Sequence, residues 1–154
     1  MADLLARFPR AGRVEWIGVR PARRQQLISR DTVEITETGL EGDHRSKPGK
    51  RAVTLIQAEH LPVIASLAAK ETLDPTELRR NIVVSGINLI ALRGMMVKMG
   101  TSVLMITGPC APCSRMEELL GEGGYNAMRG HGGVTAEVLT PGQVAIGDKL
   151  IAQS

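Results

Sequence analysis

Residues 86–106 read GINLIALRGMMVKMGTSVLMI. Three short apolar runs, at 87–92, 95–99 and 102–106, are separated by Gly94 and Gly100. Runs of this length broken by glycine predict strands joined by tight turns, the texture of a barrel or sandwich. The pattern extends outward on both sides. Residues 13–20 (RVEWIGVR) form a short β-branched run closed by Pro21, and TVEIT at 32–36 alternates Val33 and Ile35 against Glu34. Residues 51–56, 82–85, 134–139, 143–146 and 149–151 continue it, with turns at Pro141-Gly142 and Gly147-Asp148.

Helical patterns are few. Residues 57–70 place Leu61, Ile64, Ala65 and Ala68 on one face, with Pro62 tolerable in the first turns. Asp74-Pro75-Thr76-Glu77 starts a second short helix, with Asp at the N-cap and Pro at N1. The fold expected is mainly β, mixed with α: a closed or partly closed β-barrel with two or three short helices. Closure satisfies edges that an open sheet would expose. Residues 1–12 are expected to be a loose N-terminal segment and 13–154 a single domain, with no internal repeat.

At 154 residues the chain is long enough to bury a core without a disulfide or metal staple. Only 2% of residues are aromatic, which leaves no stacking platform for single-stranded nucleic acid. The net charge is +3 and the arginines are dispersed except for Arg20, Arg23 and Arg24, so a small anionic ligand is favoured over a nucleic-acid duplex. No leader and no apolar run of membrane-spanning length is visible, and a cytoplasmic setting with reduced thiols is expected, with no membrane partner.

Both cysteines lie in residues 107–121, TGPCAPCSRMEELLG. Ser114 and Glu117 have capping-box spacing and Gly121 supplies a helix stop, which would set Cys113 immediately before a helix. Unpaired amides, the positive end of the helix and nearby Arg115 would favour its thiolate. Pro109 and Pro112 stiffen the approach. Upstream, GLEGDH at 39–44 leads into a basic loop containing His44, Arg45, Lys47, Lys50 and Arg51, either a solvated charge run or a wall for anions. Arg79 and Asn81 stand at a helix-to-strand junction, where side chains can enter a cleft. His131 lies in the glycine-rich MRGHGG loop at 128–133, which is long enough to cover a site and to set its imidazole over the thiol.

The ordered series GLEGDH, RAVTLIQAEHL, LRRNIVVSGINLIALRG, GPCAPCSRME, GHGGVTAEVL and PGQVAIGDKL resembles the MOSC domain, the C-terminal domain of molybdenum cofactor sulfurases, over residues 14–151. The resemblance implies a stand-alone β-barrel whose chemistry concerns the molybdenum cofactor (molybdopterin) or sulfur handling. It implies that Cys113 is the functional cysteine and metal ligand, and that Arg79 and Asn81 occupy the R-x-N positions associated with the phosphate-bearing pterin. Larger members carry an aminotransferase-like sulfurase domain or a further N-terminal barrel domain. Pyridoxal phosphate is not expected in this chain, since no lysine sits in a recognisable pyridoxal site.

The residue chemistry is compatible with that resemblance. A thiolate is a nucleophile able to carry sulfane sulfur and a soft ligand suited to molybdenum. Arg79, Arg51 and the amides near His44 offer charge-assisted donors to a phosphate. One reading is a cofactor-binding protein that supports reduction of N-hydroxylated substrates, fed by an electron-transfer protein, or supports cofactor sulfuration with a cysteine desulfurase. The alternative is a sulfur carrier holding a persulfide on Cys113 without turnover, so enzymatic activity stays open. A thioredoxin-like enzyme would use its first cysteine early, after a βαβ unit, and structural zinc would need two further ligands that His44, His60 and His131 do not provide at finger spacing.

Overall fold

The computed structural model describes residues 2–44 and 47–153; Arg45 lies outside them. Seven strands close a barrel. β1 (Gly12–Val19) pairs with β6 (Ile82–Ser85), and the order continues through β5 (Val53–Gln57), β9 (Val134–Thr140), β8 (Ser102–Pro109), β7 (Met96–Met99) and β11 (Lys149–Gln153). β11 returns to β1 through Gly12↔Leu150 and Arg13↔Lys149, which removes the free edges. β2 (Ile28–Arg30) extends β1 outside the ring. β3 (Thr32–Thr36), β4 (Gly39–Leu40) and β10 (Gly142–Ala145) form a separate three-stranded sheet.

β5 and β6 run parallel, so a crossover must join them. That crossover holds the helix α2 (Leu61–Leu67) and a 3-10 turn at Pro75–Glu77, and its last residues before β6 are Arg79, Arg80 and Asn81. Alternation along these two strands creates two cores. Val53, Leu55, Ile82 and Val84 point into the barrel with Val14, Leu104 and Leu150. Ile56 and Val83 point outward, where Ile64, Leu78, Met116, Leu120 and Met128 cover them. Thr54 and Asn81 share that outward parity but lie beyond the cover, at the rim.

The cover is built by α2 with α3 (Arg115–Leu120) and α4 (Gly124–Met128). α4 precedes the glycine-rich loop expected at 128–133 and takes in only its first residue, Met128. Buried Gly124 allows this helix, since a Cβ there would stand 2.5 Å from Leu120 Cβ and 2.7 Å from the Met116 carbonyl, so α3 and α4 approach backbone to side chain. Two expectations are corrected. Residues 87–92 form no strand: a 3-10 turn at Leu89–Leu92 buries Leu89 and Leu92 on one side, and Gln57 Oε1 accepts from the Leu89 amide at 3.0 Å. The helix expected over 57–70 is helical only at Leu61–Leu67, after a 3-10 turn at Ala58–His60. The segment expected to be loose contains a short helix, α1 (Ala2–Leu5), whose Leu4 and Leu5 are exposed, while Phe8 packs against the core.

Candidate functional site

Four chain segments meet at one mouth of the barrel. The first is the GLEGDH loop, held against the end of β1. Asp43 Oδ1 accepts from the Arg20 amide at 2.8 Å, and the His44 amide donates to the Arg20 carbonyl at 2.6 Å. Arg20 thereby fixes the loop that carries His44.

The second segment is the end of the crossover. Asn81 is buried and tied on both sides. Its Oδ1 accepts from Thr54 Oγ1 at 3.1 Å, its amide N donates back to that hydroxyl at 3.0 Å, and its Nδ2 donates to the Gly18 carbonyl at 3.2 Å. These bonds stitch β1, β5 and β6 together, so Asn81 serves the fold as well as the cleft. Arg79 stands beside it with φ 58°, a left-handed backbone that few arginines adopt. From there its Nη1 reaches Cys113 Sγ at 3.9 Å.

The cysteine turn is the third segment. The Cys110 amide donates to the Gly133 carbonyl at 2.8 Å and its side chain is buried, whereas Cys113 is exposed; both thiols are free. The expected capping box does not form. Ser114 is already helical and makes no side-chain cap bond, and the Glu117 carboxylate instead accepts from the Gly123 and Tyr125 amides at 2.8 and 3.1 Å. Those bonds hold the Glu117 carboxyl below the usual carboxylate range. Glu117 therefore fastens α4 to α3, and the stop at Gly121 stands, with φ 87°.

The fourth segment is the GHGG stretch. Gly133, at φ 87°, passes so close to β5 that a Cβ would stand 1.9 Å from the Leu55 carbonyl. His131 does not enter the cleft. Its ring packs edge-on against His60 at 5.2 Å, with Nδ1 buried and unpartnered among the described residues. The short α4 carries the chain past the mouth, so His131 falls behind the wall and Gly132 faces it.

The resulting cleft has a volume of about 320 Å³ and is lined by Arg20, Asp43, His44, Arg51, Thr54, Arg79, Arg80, Asn81, Cys110 and Cys113, among others. Four guanidinium groups face one carboxylate. Arg115 lies outside it, paired with Glu118 at 2.9 Å and lining an adjoining groove with Arg20 and Arg79. Arg80 and Thr54 join the lining without a sequence signal of their own, and Arg20 and Cys110 join it from the arginine cluster and the cysteine stretch. Their parity and burial depend on strand register, although Arg80 stands between two residues already singled out.

The family model of the MOSC domain matches residues 23–151. The chain belongs to the MOSC domain family. The YuaD protein of Bacillus subtilis shares the fold, with a TM-score of 0.80 and 19% identity over 92% of this chain and 94% of that one. YiiM of Escherichia coli gives 0.76 and 21% over 95% and 71%, and YiiM of Geobacillus stearothermophilus 0.71 and 18% over 93% and 75%. Among curated proteins, none matches the chain at a significant level. The MOSC family is linked to molybdenum cofactor or sulfur chemistry. In this MOSC domain, no group of three or more His, Cys, Asp or Glu side chains among the described residues could hold a bare metal ion. The donor set suits an anion along the walls and a soft centre that brings its own further ligands to Cys113. No helix among the described residues is long and apolar enough to cross a membrane.

Proposed function

We propose that this cleft binds the molybdenum cofactor through its pterin phosphate and presents Cys113 to the metal, in support of reducing N-hydroxylated substrates or of cofactor sulfuration. The observation that carries the proposal is a guanidinium-lined cleft that ends on an exposed thiol. Its volume is at the lower end of the range for small-molecule sites. When bound, the cofactor would supply two-electron redox chemistry and dithiolene sulfur.

The chain's own residues then have distinct tasks. Arg51 and His44, on exposed wall, offer charge to phosphate oxygens, and Arg79 holds negative charge near the sulfur. Asn81 and Thr54 keep the wall in register, and Arg115 extends the positive groove beside Arg79. His131 supports the wall from behind. An electron-transfer protein or a cysteine desulfurase would be the partner, in a cytoplasm that keeps both thiols reduced. Pyridoxal phosphate has no place in this scheme.

A second reading is favoured by the same exposed sulfur beside Arg79: Cys113 carries a persulfide, whose anionic terminal sulfur the guanidinium would hold. Metal and pterin analysis of the protein purified from a host that makes the cofactor tests both. Stoichiometric molybdenum supports the first reading, and metal-free protein with cyanide-labile sulfur on Cys113 supports the carrier.

A further inference from the structure

Arg80 is only 5% exposed, and no carboxylate among the described residues pairs with it. Its guanidinium is spent on backbone carbonyls: Nε donates to Gly132 at 2.7 Å, Nη2 to Ala111 at 3.3 Å and Nη1 to Leu78 at 3.4 Å. These carbonyls belong to the glycine loop, the cysteine turn and the crossover, three of the four segments that form the cleft. Buried arginines are ordinarily paired with a carboxylate, because carbonyls satisfy the N–H groups and leave the charge uncompensated. Burial lowers the Arg80 pKa from its usual range, and the influences that oppose this are Cys110 and then Cys113, with Arg79 and Arg51 acting the other way. A guanidinium stays charged even so.

We infer that Arg80 is a positioning and specificity-determining residue of this site: it braces the Cys110–Cys113 turn through the Ala111 carbonyl and makes the thiol end of the cleft selective for anionic reactants. The bracing follows from fork geometry, since one planar group spans three carbonyls on three segments, a reach that a lysine ammonium lacks. The selectivity follows from depth, because a charge fixed inside the wall is screened by salt far less than the exposed Arg51. It rests on the proposed function only in taking Cys113 as the working thiol, and it needs neither molybdenum nor pterin.

The test compares alkylation of Cys113 by iodoacetate, an anion, and by iodoacetamide, its neutral counterpart, read residue by residue by mass spectrometry. In the folded protein the iodoacetate-to-iodoacetamide rate ratio should exceed that of the urea-unfolded chain by on the order of threefold to tenfold. Arg80→Met should remove most of that excess, the remainder being the share of Arg79, whereas Arg80→Lys should restore most of it. A merely structural loosening would change both rates together and leave the ratio alone. In Arg79→Ala, which leaves the wall bonds untouched, the ratio should stay above the unfolded reference. A ratio unchanged in Arg80→Met, or one that falls to the reference in Arg79→Ala, overturns the inference. If Arg80→Met does not fold, the Arg79→Ala result decides alone. Absence of molybdenum from the purified protein would not affect any of these readings.

Discussion

Arg79 Nη1 stands 3.9 Å from Cys113 Sγ, and Arg79 makes that contact from a left-handed backbone at φ 58°. A β-carbon in this region costs roughly 1–2 kcal/mol, part of which glycine returns as extra freedom in the unfolded chain. Arg79→Gly should therefore be more stable than Arg79→Ala by about 0.5–1 kcal/mol in denaturant unfolding. Both should weaken cofactor binding by on the order of tenfold to a hundredfold, the loss of one charge-assisted bond. Equal stability of the two variants would show that the backbone there is relaxed, and undiminished affinity in both would remove Arg79 from the site.

Asn81→Ala is expected to act on the fold before it acts on a ligand. It removes the acceptor of the Thr54 hydroxyl proton and the side-chain donor to the Gly18 carbonyl in a buried wall, a cost of about 1–3 kcal/mol. Chemical denaturation should show that loss with the slope unchanged. A variant as stable as the parent would mean that water replaces the amide without penalty.

Glycine punctuation and period-two alternation made most strands legible, because both act within a few residues: Thr32–Thr36 and Ile82–Ser85 are read to the residue. Barrel closure was legible only as a requirement. The pairing of Gly12 with Leu150 joins the two ends of the chain, and the parallel pairing of β5 with β6 depends on a crossover that local pattern does not encode. Cys113, Arg79, Asn81, His44 and Arg51 are each legible as polar residues of loops and junctions between strands, and the structure brings all five to one cleft. Arg80 carries no local signal, because its importance lies in three carbonyls from separate segments. His131 was expected over the thiol because spacing alone hides the turn that α4 imposes.

The two thiols differ in exposure, Cys110 being 6% exposed and Cys113 open to the cleft. Iodoacetamide at neutral pH should modify Cys113 first and reach Cys110 only as the protein unfolds, with a separation in rate of at least about tenfold, since reagent access governs thiol reaction. Peptide mapping after timed quenching measures it. Equal rates, or Cys110 ahead, would mean that the Pro109–Pro112 turn opens freely in solution.

The His60 and His131 contact behind the wall gives stability a pH dependence of its own. Burial, and then the neighbouring His131, lower the His60 pKa, with Glu59 opposing them. The folded protein thus binds this proton less readily than the unfolded chain, where histidine titrates near about 6.5. Its contribution is complete above that pH and is lost as the pH falls through the lower folded value. Glu15 and Glu117, held down by hydrogen bonds, and Glu59, where burial is overcome by bonds from Gln57 and Gly86, likewise stabilise the fold only while ionised. Their losses begin nearer the ordinary carboxylate range, about 4.3, so the two windows separate. Melting temperature should decline between about pH 7 and pH 5 in the parent, and His60→Gln should flatten that limb while leaving the steeper fall below it. A parent that gains stability on acidification over this range, or a His60→Gln variant with the parent's slope, would place the proton uptake elsewhere.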